Sequence, residues 1–137
     1  MRKIMIVDDN YLSAEGIEKN IDWEVLNAEI VHICYNGTSA IDAMKKEPVD
    51  LIISDIEMPD LDGISMSRQA LDINPMVKII LISAYDKFEY ARRALLLGAL
   101  DYIEKPLDYA YLIQKVKNAF ALMEREQKNL QLLKQSR

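Results

Sequence analysis

The chain has 137 residues, 50% of them hydrophobic and 28% charged, which suits one globular domain with a real core and excludes a disordered segment. A net charge of −5 excludes a nucleic-acid surface on this chain, since phosphate contacts need clustered Lys and Arg. Cys34 is alone, so no internal disulfide forms, and neither MRKIMIV nor any other apolar run has the length of a signal peptide or a membrane helix. The expectation is a soluble cytoplasmic domain.

The first predicted strand is KIMIV (3–7), which stops at Asp8-Asp9. A helix with Leu12, Ile17 and Ile21 on one side follows, then a second strand, EIVHI (29–33), running into Tyr35-Asn36-Gly37. Asn36-Gly37 makes a turn, Thr38 is placed to cap, and Ala40, Ile41 and Met44 form the stripe of the next helix. LIIS (51–54) is the third strand and ends at Asp55. Ile64, Ser67 and Leu71 recur at helical spacing until Asn74-Pro75 stops them. VKIILI (77–82) is the fourth strand, ending at Ser83. Phe88, Ala91 and Leu95 then mark a helix stopped by Gly98. LDYI (100–103) is the fifth strand, followed by Lys105. Leu112, Val116, Ala119, Phe120 and Met123 define the last helix.

The first, third and fourth runs are nearly continuous Ile, Leu and Val, the mark of strands covered on both faces. Five alternations of strand and helix predict one doubly wound α/β domain, a parallel sheet with helices on both sides. In such sheets ligands bind beyond the carboxyl ends of the strands, where the strand order reverses. If the order is 2-1-3-4-5, Asp8, Asp9 and Asp55 converge at that point and Ser83 and Lys105 line the adjoining side. The acid-free second strand falls at the edge. One topology accounts for all five placements.

Convergence has a cost, because two carboxylates about 4 Å apart repel by roughly 4 kcal/mol at an effective dielectric near 20. Three of them call for a cation, and an all-oxygen acidic site suits Mg²⁺. Lys105 completes a charge clamp of the kind that stabilises a transferring phosphoryl group, with Asp55 as nucleophile and Ser83 as hydroxyl donor.

These residues resemble the receiver domain of bacterial two-component response regulators. The matching motifs are VDD (7–9), DIEMPDLDG (55–63), ISAY (82–85) and DYIEKP (101–106), in the family's order. The resemblance implies a single flavodoxin-like, CheY-like (βα)5 domain over 1–121. It implies Asp55 as phosphoacceptor, Asp8 and Asp9 with the Glu57 backbone and Asp55 as Mg²⁺ ligands, Lys105 as clamp, and Ser83 with Tyr102 as switch pair. It also implies a cis Lys105-Pro106 bond and a sensor histidine kinase as phosphodonor. Phosphorylation then shifts the face built from the fourth helix, fifth strand and fifth helix, including Phe88 and Tyr90 in part, and that face is expected to form a homodimer or to engage the output domain and so control transcription. A narrower resemblance, to receivers attached to AraC-type DNA-binding domains, rests on IDWE (21–24), NGTSAI (36–41) and SAYDKFEYARRAL (83–95). Asn10 departs from the family where an acid is common, and Ser83 stands where threonine is more usual.

Other readings compete. A Mg²⁺-dependent phosphohydrolase with an aspartyl intermediate needs a D-x-D nucleophile, where this chain has Asp8-Asp9-Asn10. A stand-alone receiver with no DNA-binding output is a second alternative. A nucleotide-binding module lacks its glycine-rich or P-loop motif, and a calcium loop around DLDG fails at Met58 and Gln69. Asp60 and Asp62 read as turn residues, with Asp62-Gly63 starting a helix. His32 and Trp23 read as packing, and Cys34 as an inert small residue. Residues 122–137 read as a helical extension toward a missing output domain that would carry any DNA contact. Val116, Ala119, Met123, Leu130 and Leu133 fit a heptad seam that Glu126 breaks.

Overall fold

Residues 1–84 and 88–136 are described by the computed structural model, Phe88 by its backbone alone. Strands and helices alternate as β1 (Arg2–Val7), α1 (Tyr11–Asn20), β2 (Ala28–Cys34), α2 (Gly37–Lys46), β3 (Leu51–Asp55), α3 (Gly63–Ile73), β4 (Lys78–Ser83), α4 (Phe88–Leu97), β5 (Asp101–Glu104) and α5 (Tyr109–Gln135). The five strands form one sheet, ordered β2-β1-β3-β4-β5, and every pairing is parallel. This is the doubly wound, flavodoxin-like order expected from the sequence.

The side-chain period of two sends alternate strand residues into two separate cores. Met5, Val7, Ile52, Ile79 and Leu81 pack under α2, α3 and α4. Ile4, Ile6, Leu51, Ile53, Ile80 and Ile82 pack under α1 and α5. The apolar runs in β1, β3 and β4 are continuous because these strands have no wet face. In β2, Ile30 and Ile33 lie three residues apart yet reach the same core, which simple alternation forbids. A bulge reconciles them: Ile4 pairs with Ile30 while Met5 pairs with His32, so Val31 is the extra residue. His32 then lies on the α2 side, its Nε2 2.9 Å from the Glu47 carbonyl at the end of that helix.

Helix orientation departs from the sequence expectation in three places. In α1 the buried residues are Ala14 and Ile17, and Leu12 is exposed. The cap of α2 is Asn36, whose side chain accepts the Ser39 N–H at 2.8 Å; Thr38 lies inside the helix. In α4, Leu95 is 67% exposed, whereas Ala94 is buried and Tyr90 and Leu97 pack on the core. The sequence FEYARRALLL offers an apolar stripe in two registers, 88/91/95 and 90/94/97; of the described side chains, those at 90, 94 and 97 reach the core and Leu95 does not. Tyr85, Asp86, Lys87 and the Phe88 side chain lie outside the described residues.

The Ser67 hydroxyl on α3 is fully buried and has no hydrogen-bond partner among the described residues. Ser67→Ala removes an unsatisfied polar group and adds helix propensity, so it is expected to stabilise the fold by about 1 kcal/mol in urea unfolding.

α5 runs unbroken past residue 121, and its 27 residues span roughly 40 Å at 1.5 Å per residue. It keeps hold of the base of the sheet as far as Gln127, which accepts from Arg2 at 3.5 Å. Glu126, the residue that interrupts the heptad seam, pairs with Lys78 at the start of β4 at 2.7 Å, with side chains 29% and 14% exposed. The interruption is therefore a clasp between β4 and α5. Leu130 and Leu133, further along the seam, are exposed. Glu126→Ala leaves Lys78 largely buried without its partner, and the expected loss is about 1 kcal/mol or somewhat more. A double-mutant cycle with Lys78→Ala measures the coupling directly. No helix is long and apolar enough to cross a membrane among the described residues.

Candidate functional site

The carboxyl ends of β1, β3, β4 and β5 meet at one edge of the sheet. Asp8 and Asp9 follow β1, Asp55 closes β3, Ser83 closes β4, and Lys105 comes directly after β5. The strand ladder continues into these segments. Asp8 donates its N–H to the Cys34 carbonyl at 3.0 Å, Ile56 to Ile82 at 2.9 Å, and Lys105 to Ser83 at 2.8 Å. Adjacent parallel strands thus fix where each functional side chain starts. The Lys105-Pro106 bond is cis.

The side chains complete the convergence. One carboxylate oxygen each from Asp8, Asp9 and Asp55 lies within 4.8 Å of the others. Asp8 and Asp55 are buried, at 2% and 7% exposure, while Asp9 is exposed. Lys105 Nζ sits 3.4 Å from Asp8 Oδ2 and 3.6 Å from Asp55 Oδ2. The sequence brings together from three strands what no single motif could show.

Burial pushes the Asp55 carboxyl up to about 6; Lys105 and the Glu57 N–H pull against that rise, and Asp8 and Asp9 add to it. Asp8 is also raised, chiefly by burial, against the opposing Asn10 N–H and Lys105. Asn10 donates that bond to Asp8 Oδ1 at 2.9 Å. One ammonium among three carboxylates leaves the group short of positive charge. A hard divalent cation with oxygen ligands fits such a donor set, and Mg²⁺ is the ion it suits. The Glu57 side chain is half-buried and is not among the three clustered carboxylates; its N–H meets Asp55 instead.

Ser83 is fully buried and Tyr102 half-buried. Tyr102 pairs with Leu81 in the β4–β5 register, and Ser83 lies two residues beyond Leu81, so both point to the face covered by α2, α3 and α4. A cleft of about 510 Å³ opens beside the acids, lined by Asp9, Glu57, Met58, Asp62, Tyr90 and Arg93 among others.

The loop between β3 and α3 is held at both ends. Gly63 donates to the Ile56 carbonyl at 2.7 Å, and a Cβ there would collide with the Asp55 carbonyl oxygen and crowd Ile56 Cα. That close approach requires glycine. Asp62 caps α3 by accepting the Ser65 N–H at 2.8 Å, as its sequence context predicts. Asp60 does more than shape a turn. It accepts the N–H groups of Gly37 and Thr38, at 3.2 and 3.1 Å, at the start of α2. No sequence signal marks this contact, since its partners lie more than twenty residues away.

The family model for the response regulator receiver domain matches residues 4–117. Among curated proteins, the chain is 29% identical over 126 residues to the uncharacterized transcriptional regulatory protein YesN of Bacillus subtilis, covering 92% of this chain and 34% of YesN. It thus spans about a third of that relative's length. Among solved structures, it is similar to the REC domain of AraT, a response regulator from Geobacillus stearothermophilus, with 34% identity and a TM-score of 0.86. That match covers 92% of this chain and 98% of the other. It is also similar to a two-component transcriptional regulator AraC from Clostridium phytofermentans, with 29% identity, a TM-score of 0.82, and coverage of 94% and 99%. Placed on this fold and these motifs, the chain belongs to the response regulator receiver domain family, whose members are signalling phosphoacceptors, as a CheY-like receiver similar to those of YesN- and AraC-type regulators.

Proposed function

We propose that Asp55 takes a phosphoryl group from the phosphohistidine of a sensor histidine kinase. The observation that carries this reading is the placement of Lys105 Nζ between Asp8 and Asp55, 3.4 and 3.6 Å from their carboxylates, beside Asp9. An Asp55 carboxylate oxygen attacks phosphorus, the N–P bond breaks with its electrons left on the imidazole, and an aspartyl phosphate results. Mg²⁺, held by Asp8, Asp9, Asp55 and the Glu57 backbone, supplies charge neutralisation for the phosphoryl oxygens. Lys105 holds a second positive charge against them. Ser83 donates its hydroxyl to one of them, and Tyr102, on the same sheet face, follows it inward. A second, separate step, attack by water on the same phosphorus with cleavage of the Asp55 O–P bond, releases inorganic phosphate, restores the carboxylate and lets the domain assist its own dephosphorylation.

The output is conformational. The α4–β5–α5 face, to which Tyr90 contributes in part, has two arrangements that phosphate biases, and one of them favours a homodimer. Residues 1–121 form the receiver and 122–137 lead toward an output domain that contacts DNA, in the cytoplasm. YesN's description as a transcriptional regulatory protein and the length of that relative support this part. The whole reading is tested by intact mass after treatment with acetyl phosphate. One phosphoryl increment is expected with Mg²⁺ and none with EDTA; wild type that gains nothing in Mg²⁺ refutes it.

A further inference from the structure

The loop from Ile56 to Asp62 begins one residue after the nucleophile, and its far end returns to the same place: Gly63 donates to the Ile56 carbonyl at 2.7 Å and packs on the Asp55 carbonyl. Anything that displaces the loop therefore displaces backbone beside the reacting group, including the Glu57 N–H that helps hold the Asp55 carboxyl down against burial. Between Gly63, docked on the Asp55 carbonyl, and Glu57, the loop has a third fixed point outside its own segment. There Asp60 accepts the Gly37 and Thr38 N–H groups, at 3.2 and 3.1 Å. Leu61 closes over the same helix end, because a Cβ on Gly37 would collide with the Leu61 carbonyl oxygen and lie 2.8 Å from Leu61 Cβ. The first N–H groups of a helix have no partner within it, and a carboxylate there is favoured by the helix dipole. Asn36 caps one of those donors locally, through Ser39. Asp60 takes two others from a distance.

From this geometry we infer that Asp60 is a positioning residue for phosphoryl transfer: its bonds to Gly37 and Thr38 fasten the loop that carries Glu57 to α2, and so hold the Glu57 backbone against Asp55. The link runs from the α2 N-terminus through the two hydrogen bonds to Asp60 and then along the loop backbone to Glu57, two residues from the nucleophile. It makes α2, which contributes no residue to the acid cluster, part of the site's support. The contact persists at ordinary pH. The Thr38 hydroxyl, followed by the N–H groups of Leu61, Thr38 and Gly37, holds the Asp60 carboxyl down to about 2. Its folded value lies below the ordinary 3.8, so the contact is intact above that value and released as pH falls through about 2.

This inference rests on the phosphoacceptor reading, and the test separates the two. Wild type, Asp60→Ala and Asp60→Asn are compared for phosphorylation rate with acetyl phosphate, Mg²⁺ half-saturation, and hydrogen exchange at the Gly37 and Thr38 amides. Asp60→Ala is expected to expose both amides, to slow phosphorylation several-fold and to raise the Mg²⁺ half-saturation. Asp60→Asn keeps an acceptor oxygen and is expected to recover most of all three. Exposed amides with wild-type rate and Mg²⁺ dependence would make Asp60 a structural cap only and overturn the inference. Protected amides in Asp60→Ala would overturn it as well. Wild type that takes up no phosphoryl group refutes the phosphoacceptor reading, whatever the amides do.

Discussion

Asp55→Asn is expected to abolish phosphoryl uptake from acetyl phosphate and from any kinase donor, with the fold unchanged. Asparagine has the same shape as aspartate, so Gly63 and Ile56 keep their contacts around it. The amide has no anionic oxygen to attack phosphorus, and a substitute nucleophile has to come from Asp8 or Asp9. Asp8 is buried and already engaged by the Asn10 N–H and by Lys105. Asp9 is exposed and lies on a neighbouring strand end. Intact mass in Mg²⁺ decides the matter: one increment for wild type and none for the variant. Equal phosphorylation of the two would remove Asp55 from its proposed role. Lys105→Met makes the complementary point. It keeps the nucleophile and removes one positive charge, so it should slow the reaction by roughly 10²-fold without moving the phosphorylated residue.

How much of this was legible in the sequence follows from the range of each interaction. The strand order was readable because the acids after β1 and β3, and Ser83 and Lys105 after β4 and β5, make sense together in one topology alone. The buried central strands were readable because double coverage leaves continuous Ile, Leu and Val. The β2 bulge was not, since EIVHI looks regular until Ile30 and Ile33 must share one core. The face of α4 was ambiguous for a similar reason: two stripes of comparable hydrophobicity coexist, and only packing against α3 and β5 chooses between them. Asp60 and Glu126 share a third cause. Each looks like an ordinary polar residue, in a turn or on a helix, and each finds its partner far along the chain, at Gly37 and Thr38 or at Lys78. Contacts of that kind leave no periodicity and no spacing to read.

The acid cluster should also be visible as a stability defect that Mg²⁺ repairs. In EDTA, Asp55→Asn is expected to be more stable than wild type by 1–3 kcal/mol, a rise of several degrees in Tm for a domain of this size. The upper figure corresponds to the rise of the Asp55 carboxyl from 3.8 to about 6, about two units at 1.4 kcal/mol each. A carboxyl held above its unfolded value binds its proton more tightly in the folded state. Its penalty is therefore absent below 3.8, grows as pH rises through about 6, and is fully present at neutral pH. Metal-free wild type should accordingly lose stability over that window, and Asp55→Asn should lose less. Adding Mg²⁺ at pH 7 stabilises the folded state by mass action, by about 2.7 kcal/mol at a hundred times its Kd. The wild-type Tm should rise with it, and that of Asp55→Asn should rise less, because one ligand charge is gone. Thermal unfolding of both proteins in EDTA and in millimolar Mg²⁺ measures all four values. A variant less stable than wild type without metal would mean that the buried Asp55 carboxylate, with Asp8 and Asp9 beside it, carries no net penalty in the fold. Equal Mg²⁺ shifts in both proteins would mean that Asp55 is not among the ligands.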